Sequence, residues 1–342
     1  VSMLPSLVVL LIAALTPLLG RWRAAGVMLL LVVTIGELWR IDRTWMPVLP
    51  ARLMYPKTPL IETLEALEKA QPKTNPIRIV GTGPVFFPNA PAVYGFEDVR
   101  AHDPMANGRY LGLLRVVTGY DPSDYFAKWV NLDTRMLDFL GVRYVVSSPR
   151  ATVKDPQRFQ LVYDGKDGRI FENRDVLPRF YPTPNVVLEF KREYFVRRMI
   201  RHEDWAHTAV LNRLPVENDQ ERLDLLAPRP HDAPQATLRV TSATPTDYRM
   251  RVHAPRYTLV VSSIPFWPGW KVTRNGKATE ALQVNGGFLG YIVRPGDTEV
   301  RVHYAPLSFY ATGAVSLLTM ATLAALGVRS RMRRRRAAAA PG

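Results

Sequence analysis

The sequence contains no cysteine, so disulfides cannot hold it together and a thiolate can serve neither as nucleophile nor as metal ligand. Stability must come from packing, for which 342 residues are ample. No Gly-x-Ser-x-Gly, P-loop, clear catalytic triad or internal repeat is present. Acidic residues are scarce beside basic ones, 30 against 45, for a net charge of +15. That excess does not specify nucleic acid as a partner. Eight arginines lie in two short segments, Arg21 to Arg23 and VRSRMRRRR near the C-terminus, and the rest are spread without a nucleic-acid motif. No cofactor, metal or catalytic residue is expected.

Three apolar stretches stand out: Met3 to Gly20, Ala24 to Trp39 and Leu307 to Gly327. A helix rising ~1.5 Å per residue needs roughly 20 apolar residues to cross a bilayer. The second stretch is short, but Trp39 and Arg40 can anchor its end at the interface. Short loops rich in arginine stay in the cytoplasm. Both basic clusters fall on that side if the second helix runs outward, residues 42 to 305 lie outside and the third helix returns. The expected organisation is a transmembrane hairpin at 1–41 (3–20, 24–39), an extracytoplasmic α/β region at 42–230, a β-sandwich at 231–305, a transmembrane helix at 307–327 and a cytoplasmic tail at 328–342. The fold class is thus membrane-anchored α+β, multi-pass in the bacterial cell membrane, with the lipid bilayer as one partner.

Within the external region, LIETLEALEK (Leu60 to Lys69) has helical spacing and Ile77 to Val80 reads as a strand. Met136 to Leu140 closes a second helix before the strand Val142 to Ser147. The proline-rich stretch carrying Pro182, Pro184, Pro215, Pro228 and Pro230 reads as irregular connection plus a helix near Arg192 to His207. From Ala236 on, TLRVTSA, DYRMRVHA, YTLVVSSI, GWKVTRNG, GFLGYIVR and TEVRVHYA alternate with turns, the pattern of an antiparallel sandwich. Asn275-Gly276 signals a type I′ hairpin turn and Asn285-Gly286-Gly287 another turn.

Single motifs are weaker. Gly81-Thr82-Gly83 follows a strand but lacks the third glycine of a dinucleotide loop, and Pro84 stands where its helix would begin. His202 and His207 are five apart and do not share a helix face. Asp98, Asp103, Asp121 and Asp124 surround Tyr94, Tyr110 and Tyr120, a mixture suited to sugar, although aspartates in DP pairs are ordinary turn formers. Trp267 and Trp270 flank a Pro-Gly bend. They read either as a platform for sugar rings or as one core ring and one ring at the membrane-facing edge. The candidate ligand-binding residues are therefore Trp267, Trp270, Tyr94, Asp98 and Asp103.

Taken in order, ELWRIDRTWMP, NAPAVYGFEDVRAHDP, LDFLGVRYVVS, FENRDVLPRFY, IPFWPGWKVTRNGK and NGGFLGYIVRPGDTEVRVHYAP resemble the C-terminal part of the YfhO-like bacterial membrane proteins. The resemblance runs along nearly the whole sequence. It implies kinship with glycosyltransferases of the GT-C architecture, which move sugar from a polyprenyl-phosphate carrier in the cell envelope. Their acidic catalytic residues lie in an external loop after the first helix of a long bundle. No residue here matches that place, and Asp42, which follows a late helix, has an interfacial one. The resemblance thus implies the C-terminal portion of a longer protein or a split-gene product, inactive alone. Its partners would be a GT-C-like bundle or a separate catalytic subunit, and glycan or polyprenyl-phosphate sugar. The alternative is a non-enzymatic tethered module that binds glycan or a partner subunit.

Overall fold

The computed structural model describes residues 20, 22–45, 50–82, 85–100, 102–103, 105–121, 129, 131–191, 194–195, 197–198, 201, 204–213, 218–227, 229 and 234–338. The first apolar stretch, residues 3–19, falls outside them. The chain divides into two units, Val1–Lys57 and Thr58–Gly342.

In the first unit, helix α1 spans Arg23–Trp45, with Ala24–Arg43 long and apolar enough to cross a membrane. It runs beyond Trp39, where the apolar pattern ends. Glu37, near the end of that run, pairs with Arg40 just past it at 3.2 Å, one turn apart, so the two charges are matched on the helix itself. A single helical turn, Ala51–Met54, follows.

The second unit is a stack of layers. Helix α2 (Pro59–Lys69) opens with proline, whose missing N–H is not needed in a first turn, and buries Leu60, Ile61 and Leu64. They pack on a five-stranded sheet ordered β2-β1-β3-β5-β4: β1 Arg78–Gly81, β2 Glu97–Asp98, β3 Val142–Ser147, β4 Phe159–Gly165 and β5 Gly168–Asn173. Strand β1 is parallel to β2 and β3, and β5 is antiparallel to β3 and β4. The other face of this sheet, through Val80, Val142, Val145 and Phe171, shares a core with α3 (Gly108–Thr118) and α4 (Met136–Phe139).

Beyond the helices lies a six-stranded sheet ordered β6-β11-β15-β14-β8-β7: β6 Phe180–Thr183, β7 Asn185–Leu188, β8 Thr208–Leu211, β11 Thr258–Pro265, β14 Leu282–Val284 and β15 Phe288–Val293. Both faces of its centre are covered. Phe288 and Ile292 of β15 face the helical layer, whereas Leu289, Tyr291 and Val293 face the last layer. A central strand covered on two sides is apolar at every position, and β15 is buried throughout. The last layer is an antiparallel sheet ordered β13-β12-β16-β10-β9: β9 Thr237–Thr244, β10 Asp247–His253, β12 Trp270–Arg274, β13 Lys277–Thr279 and β16 Glu299–Tyr304. Its outer face meets solvent, so β10 alternates, with Tyr248, Met250 and Val252 turned inward. Helix α5 (Asp219–Leu226) begins at Asn218, whose side chain accepts from Glu221 N at 2.9 Å. Helix α6, Leu307–Ala338, leaves the sandwich directly and carries a membrane-length run, Leu307–Met332.

Every strand read from Ala236 onward is present. The sandwich reaches further back than residue 231, however, because β6, β7 and β8 complete its six-stranded sheet from the proline-rich stretch. Pro182 pairs opposite Val260 in β6, an edge strand, where a residue without N–H costs no ladder bond on the outer side. Nor does a helix run to His207. Residues 205–207 form a turn into β8, in which Asp204 accepts from Thr208 Oγ1 at 3.2 Å and lies 2.7 Å from His207 Nδ1, while Trp205 plugs the core.

Candidate functional site

The five residues singled out from the sequence do not form one site. Asp98, in β2, is sealed inside. Its carboxylate accepts from Arg100 N, Nε and Nη2 at 2.9, 3.0 and 2.7 Å, and Arg100 Nη1 donates to Phe86 O at 2.9 Å. Side-chain exposure of the pair is 5 % and 1 %, so neither reaches a ligand. Burial raises the Asp98 carboxyl above its ordinary range, and the bonds from Arg100 offset this only in part. Gly81 has its reason here rather than in a dinucleotide loop, since a Cβ on it would lie 2.7 Å from Arg100 Nη2. Gly83 and Pro84 lie outside the described residues.

Tyr94 closes a 3-10 turn, Ala90–Tyr94, and its ring stacks on Phe96 at 6.4 Å. Asp103 accepts from Met105 N at 2.7 Å, which makes it a turn former. Asp121 is paired with Arg115 on the surface, and Tyr110 donates to Val99 O inside the core. Tyr120 is buried and its hydroxyl is pushed up to about 12 by desolvation. Asp124 and His202 fall outside the described residues.

The two tryptophans part at their bend. Trp270 N donates to Trp267 O at 3.1 Å, turning the chain tightly. The Trp270 ring enters the inter-sheet core against Tyr304 and Tyr248, at centroid distances of 5.2 and 6.4 Å. Trp267 is 42 % exposed. A two-ring platform is therefore ruled out, and the edge ring remains.

Four loops gather around that edge. Asn107 caps α3 by accepting from Arg109 N and Tyr110 N, and it donates to Phe266 O at 2.8 Å. Phe266 N donates to Gly287 O at 2.8 Å. Gly286 holds φ +82°, and a Cβ on it would strike the Phe195 ring at 2.7 Å, so Phe195 rests on this turn. Asn285 is fully buried and clamps the turn to β8 by accepting from Val210 N at 2.8 Å. Ala305 N donates to Gly269 O at 2.8 Å, which ties the Trp267 bend to the start of α6. Beside these turns, Glu189, Tyr194, Arg197, Arg198 and Arg201 line an open cleft of about 360 Å³. Lys191 and Arg197 lie over the Tyr194 ring at 5.7 and 5.8 Å. Such a set attracts anions and presents aromatic edges, but it holds no acid–base pair.

Two helices long and apolar enough to cross a membrane, beside a large layered α+β unit, suggest membrane association. Residues 220–316, from α5 through β16 to the opening of α6, match the family described as bacterial membrane protein YfhO. Over that segment the chain is similar to this family. No curated protein matches it, and no solved structure does.

Proposed function

We propose that this chain is the extracytoplasmic, membrane-tethered module of a polyprenyl-phosphate-dependent glycosylation system of the cell envelope, and that it recognises and positions rather than transfers. The carrying observation is the fate of the described candidate acids. Asp98 is buried against Arg100, Asp103 is spent on a turn and Asp121 is held by Arg115. Transfer from a polyprenyl-phosphate donor needs a carboxylate poised at the acceptor and positive groups at the leaving phosphate. Among the described residues, the cleft at the loop end of the sandwich is lined by three arginines and a single acid, Glu189. Chemistry then belongs to a GT-C-like bundle or a partner subunit, with the module binding glycan or that partner.

The test is to express residues 1–342 in membranes with a labelled donor, beside the same chain carrying Asn at positions 98, 103, 121 and 124. Both should be inactive. Transfer by the first and not by the second overturns the proposal. Sidedness is tested by a reporter active only outside the cytoplasm. It should work when fused after Pro50 or Pro306 and fail after Arg336, as expected if the arginine clusters stay inside.

A further inference from the structure

We infer that the loop end of the sandwich lies on the bilayer that α6 enters, where its arginines meet anionic phospholipid headgroups and its exposed rings enter the interface. The inference stands on the α6 junction and is independent of any sugar transfer. Strand β16 ends at Tyr304 and α6 begins at Leu307. Three peptide steps reach at most about 10 Å. The headgroup layer of one leaflet is itself roughly 5–7 Å deep. The bend at Trp267 is pinned still closer. Gly269 O accepts from Ala305 N, and a Cβ on Gly269 would lie 2.6 Å from the Tyr304 ring and 2.9 Å from Pro306. Any placement of Leu307 at the edge of the hydrocarbon therefore brings Trp267 to headgroup depth.

The side chains at this end suit that depth. Trp267 is 42 % exposed, Met105 84 % and Tyr194 48 %. Phe309 and Tyr310 continue the aromatic set onto the first turn of α6. Aromatic rings with a polar edge favour the membrane–water boundary, and arginines extend their guanidinium groups toward headgroup phosphates. Arg109, in the first turn of α3, and Arg197 and Arg198 are exposed at the same end, and Glu189 lines the cleft beside the latter two. Each basic side chain near an anionic surface strengthens attachment roughly fivefold at modest salt. The opposite end of the last sheet is different. Strand β12 runs away from Trp270 to the Asn275-Gly276 turn, roughly 15 Å further from the junction, where Lys277 stands.

The absence of cysteine makes the test direct, because Met105→Cys or Lys277→Cys takes a single environment-sensitive dye. The full chain is reconstituted in vesicles of phosphatidylcholine, alone or with roughly a third phosphatidylglycerol, and the dye is quenched by lipids brominated near the headgroup. Quenching at position 105 should exceed that at 277 by about threefold, and the excess should grow with phosphatidylglycerol and shrink at high salt. Arg109, Arg197, Arg198 and Arg201 changed together to Gln should remove the lipid dependence. These are surface positions, and the salt titration reads the same attraction with no substitution at all. Equal quenching at the two positions overturns the inference. So does quenching at 105 that ignores lipid charge and salt, or that appears only when a polyprenyl phosphate is added to neutral vesicles.

Discussion

In the mixed sheet of β1–β5, charged pairs are built into the middle of the interior; between the two sheets of the sandwich, aromatic and aliphatic side chains fill it, with Arg274 paired to Asp297 at the Asn275 end of β12. Asp138 is 5 % exposed and accepts from Arg158 Nη2 at 2.6 Å and from Asn173 Nδ2 at 2.8 Å, while Asp98 and Arg100 form a second sealed pair. The sandwich interior instead gathers Tyr248, Met250, Trp270, Val272, Leu289, Tyr291, Val300 and Val302. Charge pairs demand partners at fixed angles and are fragile to loss of either one, whereas an apolar core answers mainly to volume. The two regions should accordingly fail in different ways. Glu97 marks the seam between them: it takes Arg78 of β1 at 2.9 Å and Arg179 at 2.7 Å, and Arg179 also donates to Tyr248 of β10 at 3.2 Å.

The largest effect is expected in the mixed sheet. Asp138→Ala leaves the guanidinium of Arg158 buried without its carboxylate, at a cost of about 4 kcal/mol. Changing Asp138 and Arg158 together to apolar residues should cost distinctly less than the single change. Denaturant unfolding of the detergent-solubilised chain reads both, and equal losses would mean that the pair is not held as a unit. In the sandwich, Trp270→Ala should cost about 3 kcal/mol through the cavity alone. Among the described residues the Trp270 Nε1 has no hydrogen-bond partner, so removing the ring breaks no polar contact there. Trp270→Phe should then recover most of the loss, which a polar role for the indole would not allow.

The contrast also governs what could be read from the sequence. Strands β9 to β12, β15 and β16 were legible because alternation or continuous apolarity follows directly from one covered face or two. Asn275-Gly276 announced its own turn, whereas the Pro-Gly bend left both readings of Trp267 and Trp270 open. Strands β6 to β8 were hidden by Pro182 and Pro184, since an edge position that tolerates proline looks in sequence like a loop. The β4–β5 hairpin passed unread although Asp164 to Gly168 carries turn chemistry, because most of β4 faces solvent. The acids were the least legible. Asp138 meets Arg158 across 20 positions and Asn173 across 35, and no local pattern encodes such a meeting. Nor could sequence alone bring Phe195 beside Gly286.

The seam gives a pH-dependent test of intermediate size. Burial raises the Glu97 carboxyl, but Arg78 and Arg179 outweigh it and leave the group below its ordinary value of 4.5. A carboxyl lowered in the folded state adds stability that is complete above its unfolded value and is lost as pH falls through the folded one. Glu97→Gln should therefore cost about 2 kcal/mol near neutrality, less than a fully buried pair because about a third of the side chain meets solvent. The difference between variant and parent should shrink below about pH 4.5. A difference that stays constant down to pH 2 would assign the loss to packing instead.

The smallest effect isolates backbone from packing. Asn275 and Gly276 hold φ +48° and +78°, the two positive values of a type I′ turn. Asn275 has a second task, since its Oδ1 accepts from Thr298 N and Glu299 N, both at 3.0 Å, and so ties the hairpin to β16. Gly276 has none: a Cβ placed on it meets nothing within 4 Å. Any loss on substitution there is conformational strain alone, about 1 kcal/mol for Gly276→Ala and somewhat more for Gly276→Val, whose branched side chain tolerates positive φ least. Gly276→Asn should cost only a few tenths, because asparagine accepts the left-handed region. Gly286→Ala is the matching change at the other turn, where φ is +82° but the Phe195 ring lies 2.7 Å from the new Cβ, so its cost should exceed that at Gly276 by the contact. Equal losses at the two glycines would mean that Phe195 swings away freely.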